Sequence, residues 1–400
     1  MLSKNPQVDY ILKRRRGIIE LSRKYPTPFY IFDPGALEKS IKEYTRAFQK
    51  HLFKFKPFYA IKANPHPYVI ATVLKHDFGL DVSSGDELKL ALKHKAKHIL
   101  FSGPGKSIPE LNLALAHHKK VTVNIDSFSE LKKLGALSSK NKITIRAGIR
   151  VFTRHHGKWN KFGINLNELK KFWMTAKKFP YIQLQGIQFH LSHNKNVTPY
   201  QNIIKEIGTY LKKTFSEDML STIKFVDFGG GFYTDKTEGI YDQNSKNKYP
   251  HYKLIRAQKI EIFSKGIAGA IRKYLKPILK CSYYSEPGRI ICTYAMHIVL
   301  KVEDKKNKQT VITDGGVNMI GVGSNYNYYL PLINLTRPSI HEKKYIIYGP
   351  LCTPKDMWGY HCYANKIEEG DTILVPNQGA YTYSLAQNFI KSVPKVYKLK

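Results

Sequence analysis

Eight short apolar runs, separated by longer amphipathic ones, fill the chain from residue 57 to residue 286 and leave few folds open to it. The runs lie at 57–61, 79–82, 98–102, 121–125, 143–150, 186–190, 223–228 and 281–286. The stretches between them, at 66–76, 85–95, 107–118, 127–138, 165–179, 199–215 and 254–275, carry helical spacing. A strand that returns parallel to its neighbour needs a crossover long enough for a helix. Eight strands connected in this way predict an α/β fold, a parallel sheet closed into a TIM-like (β/α)8 barrel.

The flanks have a different texture. Residues 7–25 read as a basic amphipathic helix, 27–32 (Thr-Pro-Phe-Tyr-Ile-Phe) as a strand and 35–51 as a helix. After residue 295 the chain turns to short β-like runs at 298–302, 309–314, 344–347 and 372–375, with little helix between them. That predicts a separate C-terminal β domain, which the strand at 27–32 joins. The expected organisation is 1–34 with the β domain, 35–294 as the barrel and 295–400 as the β domain, with the lysine-rich stretch 236–253 as a surface insertion.

A formal net charge of +35 admits nucleic acid, an anionic surface or an acidic ligand as partner. The basic residues are scattered, the one tight run being Lys13-Arg14-Arg15-Arg16, and no nucleic-acid motif with interleaved aromatics is present. Compositional bias accounts for most of the charge, with attraction of anionic ligands as a consequence. No apolar run approaches the roughly 20 residues of a membrane span. The amino terminus lacks a signal-like apolar segment, and the four cysteines (Cys281, Cys292, Cys352, Cys362) are too far apart for a CxxC motif. A cytoplasmic protein with reduced thiols and no metal is expected.

In a barrel of this kind functional residues gather at the carboxyl ends of the strands. Lys62 follows the buried-strand pattern Phe58-Tyr59-Ala60-Ile61, and a partly desolvated lysine suits a Schiff base with a carbonyl. In so lysine-rich a chain, Lys62 taken alone reads as an ordinary strand-end lysine whose ammonium snorkels to water, so it is judged with the residues that follow. Gly229-Gly230-Gly231 follows 225–228, where bare backbone amides can cradle an anion or simply turn the chain. Glu286-Pro287-Gly288-Arg289 offers a carboxylate for a protonated ring nitrogen and donors for phosphate, or a plain turn. His190 could lie on a ring or carry a proton, and His193 three residues on is too little for zinc. Cys352, in Gly349-Pro350-Leu351-Cys352-Thr353-Pro354-Lys355-Asp356, is a nucleophile or proton donor if its pKa is lowered, otherwise an inert loop thiol. Tyr381, after Gly379-Ala380, could donate to phosphate.

Taken together, these residues resemble the fold-III pyridoxal-phosphate amino-acid decarboxylases, the family of diaminopimelate and ornithine decarboxylases. The resemblance runs from about 27 to 390 and is carried by 59–64 (Tyr-Ala-Ile-Lys-Ala-Asn), 79–88 (Gly-Leu-Asp-Val-Ser-Ser-Gly-Asp-Glu-Leu), Lys161-Phe162-Gly163, Phe189-His190, Asp227-Phe228-Gly229-Gly230-Gly231, Glu286-Pro287-Gly288-Arg289, the Cys352 loop and Gly379-Ala380-Tyr381. It implies pyridoxal 5'-phosphate carried by Lys62, stacked on by His190, with its ring nitrogen on Glu286. It implies Gly229, Gly230, Gly231, Gly288, Arg289 and Tyr381 at the phosphate, and Asp81 and Arg146 supporting the His190 side. Cys352 as proton donor, with Asp356, would enter from the partner subunit of a homodimer, and Thr353, Asp356 and Asn318 would meet the substrate.

The family usually has a glutamate or aspartate after the loop cysteine, which helps to read a distal amino group; here Thr353-Pro354 stands there. The segment after His190 is Leu191-Ser192-His193, and Asp314-Gly315-Gly316-Val317-Asn318 is followed by a divergent stretch at 319–329. The Cys-Thr-Pro-x-Asp form is similar to decarboxylases of siderophore and antibiotic pathways. The expected activity is therefore decarboxylation of a modified amino acid, anionic or bound to a carrier protein, in specialised biosynthesis. The alternative is diaminopimelate decarboxylase making lysine. A racemase of this fold would lack the Gly-Pro-x-Cys loop, and a non-catalytic relative would not keep Lys62, His190 and Glu286 together.

Overall fold

The computed structural model describes residues 5–157, 161–234, 239–242, 244–322 and 328–399, and it divides into two compact units. One comprises residues 41–233 and 257–290, the other 1–40, 234–256 and 291–400.

The first unit is the expected barrel. Its strands are β1 (Phe55–Ala60), β2 (Gly79–Val82), β3 (Ile99–Phe101), β4 (Val121–Ile125), β5 (Ile145–Phe152), β6 (Ile182–Gln188), β7 (Phe225–Asp227) and β8 (Ser282–Ser285). Each pairs in parallel with the next, and β8 pairs in parallel with β1, so the eight strands close into a ring. Strands buried on both faces read as continuous apolar runs, which is why the sequence shows them so plainly. The helices start where their caps say they should: Ser84, Ser107 and Ser127 each accept a backbone N–H three residues on, and Ser107 with Glu110 forms a full capping box.

Aromatic rings fill part of the barrel interior. Phe225 stacks on Tyr284 with centroids 4.8 Å apart, and Phe58 lies 5.1 Å from the same ring. Gly186 makes room for them, since a Cβ there would lie 1.9 Å from the Phe225 ring. The buried Asp81, Gln188 and Asp227 lie toward the carboxyl ends of their strands.

The second unit is a mainly antiparallel sheet. Six strands, Thr310–Thr313, Pro338–Tyr348, Met357–Ala364, Leu332–Asn334, Thr372–Val375 and Met296–Asn307, close on one another, and Phe29–Phe32 and Val396–Lys398 extend the sheet from the last of them. The helix Pro6–Lys24 lays Val8, Ile11 and Ile18 against Phe29, Ile31 and Val299. The stretch 236–253, of which 236–238 and 243 lie outside the described residues, contributes to the strands Gly239–Tyr241 and Tyr252–Leu254, which pair with each other, and Gly239–Tyr241 also pairs with Tyr328–Tyr329 in this unit. Residues 323–327 of the divergent stretch also lie outside the description. Among the described residues no helix is long and apolar enough to cross a membrane.

Because an added methyl at 186 collides with the Phe225 ring, Gly186→Ala should cost about 1–3 kcal/mol of stability in denaturant unfolding. Gly186→Ala combined with Phe225→Leu should cost less than the sum of the two single changes, as expected of residues sharing one space.

Candidate active site

Lys62 sits on a pinned turn. β1 ends at Ala60 and continues into a 3-10 turn, Ile61–Ala63. The buried Tyr59 hydroxyl donates to the Asn64 carbonyl at 3.1 Å, and Ala60 N–H donates to the Pro287 carbonyl at 3.1 Å. The turn presents the Lys62 ammonium to Asp81 Oδ2 at 3.1 Å and to Ser83 Oγ at 3.4 Å. Its side chain is 35% exposed, while that of Asp81 is fully buried, so the amine is both paired and reachable.

Around it the strand ends supply a buried polar group. Glu286, just past β8, lies 3.2 Å from His190 Nδ1 and accepts from Ser102 Oγ at 3.2 Å and Gln188 Nε2 at 3.1 Å. Asp227, the last residue of β7, accepts the Gly229 N–H at 2.8 Å. Arg150, on β5, is buried with its guanidinium 4.4 Å over the Phe162 ring.

Burial would raise the pKa of Glu286, but His190, Lys62 and Arg150 outweigh it and hold the carboxyl at about 2. Asp81 goes the other way: burial and the charge of Glu286 push it up to about 7 against the pull of Lys62. Burial with Glu286 alongside lifts Asp227 well above the usual carboxylate range. Burial lowers the His190 pKa, with Glu286 opposing. Neighbouring carboxyls are thus driven apart, one ionised and two inclined to keep a proton, the pattern expected when like charges share a low-dielectric site.

The structure brings Lys62, Asp81, His190, Glu286 and the three glycines to the carboxyl ends of the barrel strands, and Arg289 beyond β8 stacks 5.3 Å over Tyr233. Arg146 is a correction. It is the second residue of β5, its Nη2 donates to the Lys119 carbonyl at 2.7 Å, and its neighbours Lys56 and His98 mark the opposite, amino-terminal end. Arg150, four residues on, takes the place beside Glu286, Asp81 and Asp227. The glycines also answer to packing. Added Cβ atoms at Gly229, Gly230 and Gly231 would lie 2.5 Å from Phe189 O, 2.0 Å from Glu286 O and 2.0 Å from Leu191 O. The Gly229 and Gly230 amides already face Asp227 Oδ1 and His190 Nδ1, so Gly229 and Gly230 do not form the anion cradle expected of them.

The remaining expected residues belong to the second unit. Cys352 is a free, exposed thiol, and Thr353 is half-buried in the turn after it. Tyr381 takes a positive φ of 57°. Asp356 is a correction: its Oδ1 accepts the Val317 N–H at 2.8 Å and its Oδ2 the Leu351 N–H at 2.6 Å, so the carboxylate ties its own loop instead of reaching for a substrate. Asn318 is buried, and its Nδ2 donates to the carbonyls of Gln387 and Lys391 at 3.2 and 3.0 Å and pins the C-terminal segment, while no donor among the described residues meets its Oδ1. Sequence reasoning missed Ser102, Asn124, Arg150 and Gln188 as site residues. The available signal was a polar residue at the carboxyl side of an otherwise apolar strand.

The group fits a coenzyme with an aldehyde and a basic ring nitrogen. It offers a reachable amine, an ionised carboxylate, an imidazole between strand ends, and buried acceptors, Gln188 Oε1 and Asn124 Oδ1, that no protein donor meets.

In stability terms, Asp81 has a folded pKa of about 7 against an ordinary 3.8. Its contribution is full below 3.8 and is lost as pH rises toward 7. Unfolding of coenzyme-free protein should therefore show wild type losing stability relative to Asp81→Asn between pH 4 and pH 7.

Comparison with known proteins agrees with the geometry. Residues 38–293 match the pyridoxal binding domain of the pyridoxal-dependent decarboxylases. A diaminopimelate decarboxylase of Aquifex aeolicus is 26% identical, with 96% of this chain and 90% of that one aligned. A Staphylococcus aureus 2-[(L-alanin-3-ylcarbamoyl)methyl]-2-hydroxybutanedioate decarboxylase is also 26% identical, over 93% of this chain and 94% of that one. The crystal structure of Helicobacter pylori diaminopimelate decarboxylase with L-lysine superposes with a TM-score of 0.78 at 26% identity, covering 95% of this chain and 93% of that one. Matched over more than half its length by the family's defining domain, the chain belongs to the pyridoxal-dependent decarboxylases.

Proposed function

We propose that this decarboxylase acts on an α-amino acid whose distal nitrogen is acylated with an anionic group, in specialised biosynthesis. The decarboxylase reading rests on the Lys62, His190 and Glu286 cluster in the matched domain; the substrate reading rests on Asp356. With both Asp356 oxygens held by backbone amides and Thr353 after the cysteine, the loop at 349–356 offers no carboxylate to a free distal ammonium. A net charge of +35 favours an anionic substrate. The S. aureus relative is named for a substrate in which an alanine side chain is joined through an amide to a hydroxybutanedioate. The second reading, diaminopimelate, draws on the names of the Aquifex and Helicobacter relatives.

Lys62, His190, Glu286, Gly231, Gly288 and Arg289 would hold pyridoxal phosphate, which when bound withdraws electrons from the carbon that loses CO2. Asp81 orients the Lys62 amine and, with its raised pKa, can take up or return a proton there. Glu286 stays anionic and would accept a ring N–H from the coenzyme. Cys352 Sγ carries the proton delivered to the product carbon, and by the family resemblance it comes from a second copy of the chain.

Purified protein loaded with pyridoxal phosphate should show a visible band that borohydride abolishes, and Lys62→Ala should lack it. Cys352→Ala should slow product formation by roughly 100-fold, the usual weight of a placed proton donor. CO2 release should be faster from the acylated substrate than from meso-diaminopimelate. Brisk formation of lysine from meso-diaminopimelate would overturn the substrate reading and leave the decarboxylase reading standing. Thr353→Glu should shift the kcat/KM ratio toward diaminopimelate by about tenfold.

A further inference from the structure

Glu286 is held from several sides. Gln188, the fully buried last residue of β6, sets Nε2 at 3.1 Å from Oε1 and 3.3 Å from Oε2. Ser102, directly after β3, donates Oγ to Oε1 at 3.2 Å. Ser102 Oγ in turn receives Nδ2 of the fully buried Asn124 at 3.1 Å, which leaves the serine hydrogen for the two neighbouring carboxyls, Glu286 at 3.2 Å and Asp81.

The relay is itself anchored. The buried Lys106 ammonium donates to the carbonyl of Gly103 at 2.6 Å, to that of Asn124 at 2.9 Å and to Glu130 Oε1 at 2.8 Å. It thereby ties the chain on either side of the Ser102–Asn124 contact to one point. Gly148 faces the relay, where a Cβ would lie 2.4 Å from Asn124 Oδ1. A carboxylate so buried gains little from water, and each donor aimed at it both stabilises its charge and removes a rotamer.

We propose that Gln188 and the Asn124–Ser102 relay are positioning residues that fix the Glu286 carboxylate in the orientation that accepts a hydrogen from the coenzyme ring nitrogen. The inference rests on the reading of Glu286 as the partner of that nitrogen. It separates these three residues from ordinary core polar groups, whose loss would loosen the pocket for any ligand of the same shape.

The test compares two probes on the full-length protein: pyridoxal phosphate and its deaza analogue, in which CH replaces the ring nitrogen. Wild type should bind pyridoxal phosphate more tightly, and Glu286→Gln should erase most of that preference. Gln188→Leu and Ser102→Ala should each cut the preference by about tenfold, the weight of a hydrogen bond to a charged group. The bound coenzyme's visible band should change protonation at a different pH in both variants. Equal weakening of both probes, with the preference intact, would reduce these residues to packing and overturn the proposal. Should Gln188→Leu fail to fold, Ser102→Ala, which removes one oxygen, decides the matter. Absence of any preference in wild type would instead refute the assignment of Glu286.

Discussion

Asp81, Asp227 and Glu286 put three carboxyl groups into the dry end of one barrel, and the surrounding side chains answer that electrostatic strain. Removing an ion from water costs several kcal/mol even after relaxation, and like charges nearby add to it. Two cations, Lys62 and Arg150, offset part of the cost, and both act on Glu286. Raised proton affinity at Asp81 and Asp227 offsets more. Glu286 holds its charge most firmly, and it is the carboxylate surrounded by donors. The same chemical group thus acquires different protonation at neighbouring strand ends, which is how a fold prepares acid and base roles at neutral pH.

A parallel barrel suits this purpose because each strand delivers one side chain to the same rim. β2 supplies Asp81, β5 Arg150, β6 Gln188 and β7 Asp227, with Lys62, Ser102, His190 and Glu286 in the first residues beyond their strands. Phe58, Phe225 and Tyr284 fill space inside the sheet, and the buried Asp81, Gln188 and Asp227 lie toward the strand ends. The glycines at 229–231 extend the same economy. They let the β7 turn approach the backbones of 189–191 and 286 at distances no side chain permits, which brings Asp227 and His190 toward Glu286.

The barrel was legible because burial on both faces writes each strand as an apolar run, and eight runs admit one closure. The β domain was less so. Leu332–Asn334 and Val396–Lys398 are three residues each, and Met357–Ala364 carries a glycine and a histidine among its apolar residues. Within the site, residues fixed by their place just beyond a strand, such as Lys62 and Glu286, could be read directly. Arg146 and Arg150 share one strand of the closed parallel sheet, and chain direction puts Arg150 at its carboxyl side; the resemblance pointed instead to Arg146, at the other end.

Asp356 and Asn318 illustrate a different limit. Their positions follow the family pattern, yet both Asp356 oxygens and the Asn318 Nδ2 are taken by backbone groups of Val317, Leu351, Gln387 and Lys391. A buried carboxylate or amide must satisfy its hydrogen bonds with whatever lies nearest, and in a turn the nearest partners are backbone amides and carbonyls. A motif therefore preserves a loop's shape more faithfully than it preserves what the loop binds. The barrel rim fixes the chemistry, because its charges constrain one another. The loop at 349–356 is free to change what it recognises, because Asp356 maintains its shape whether residue 353 is acidic or, as here, a threonine.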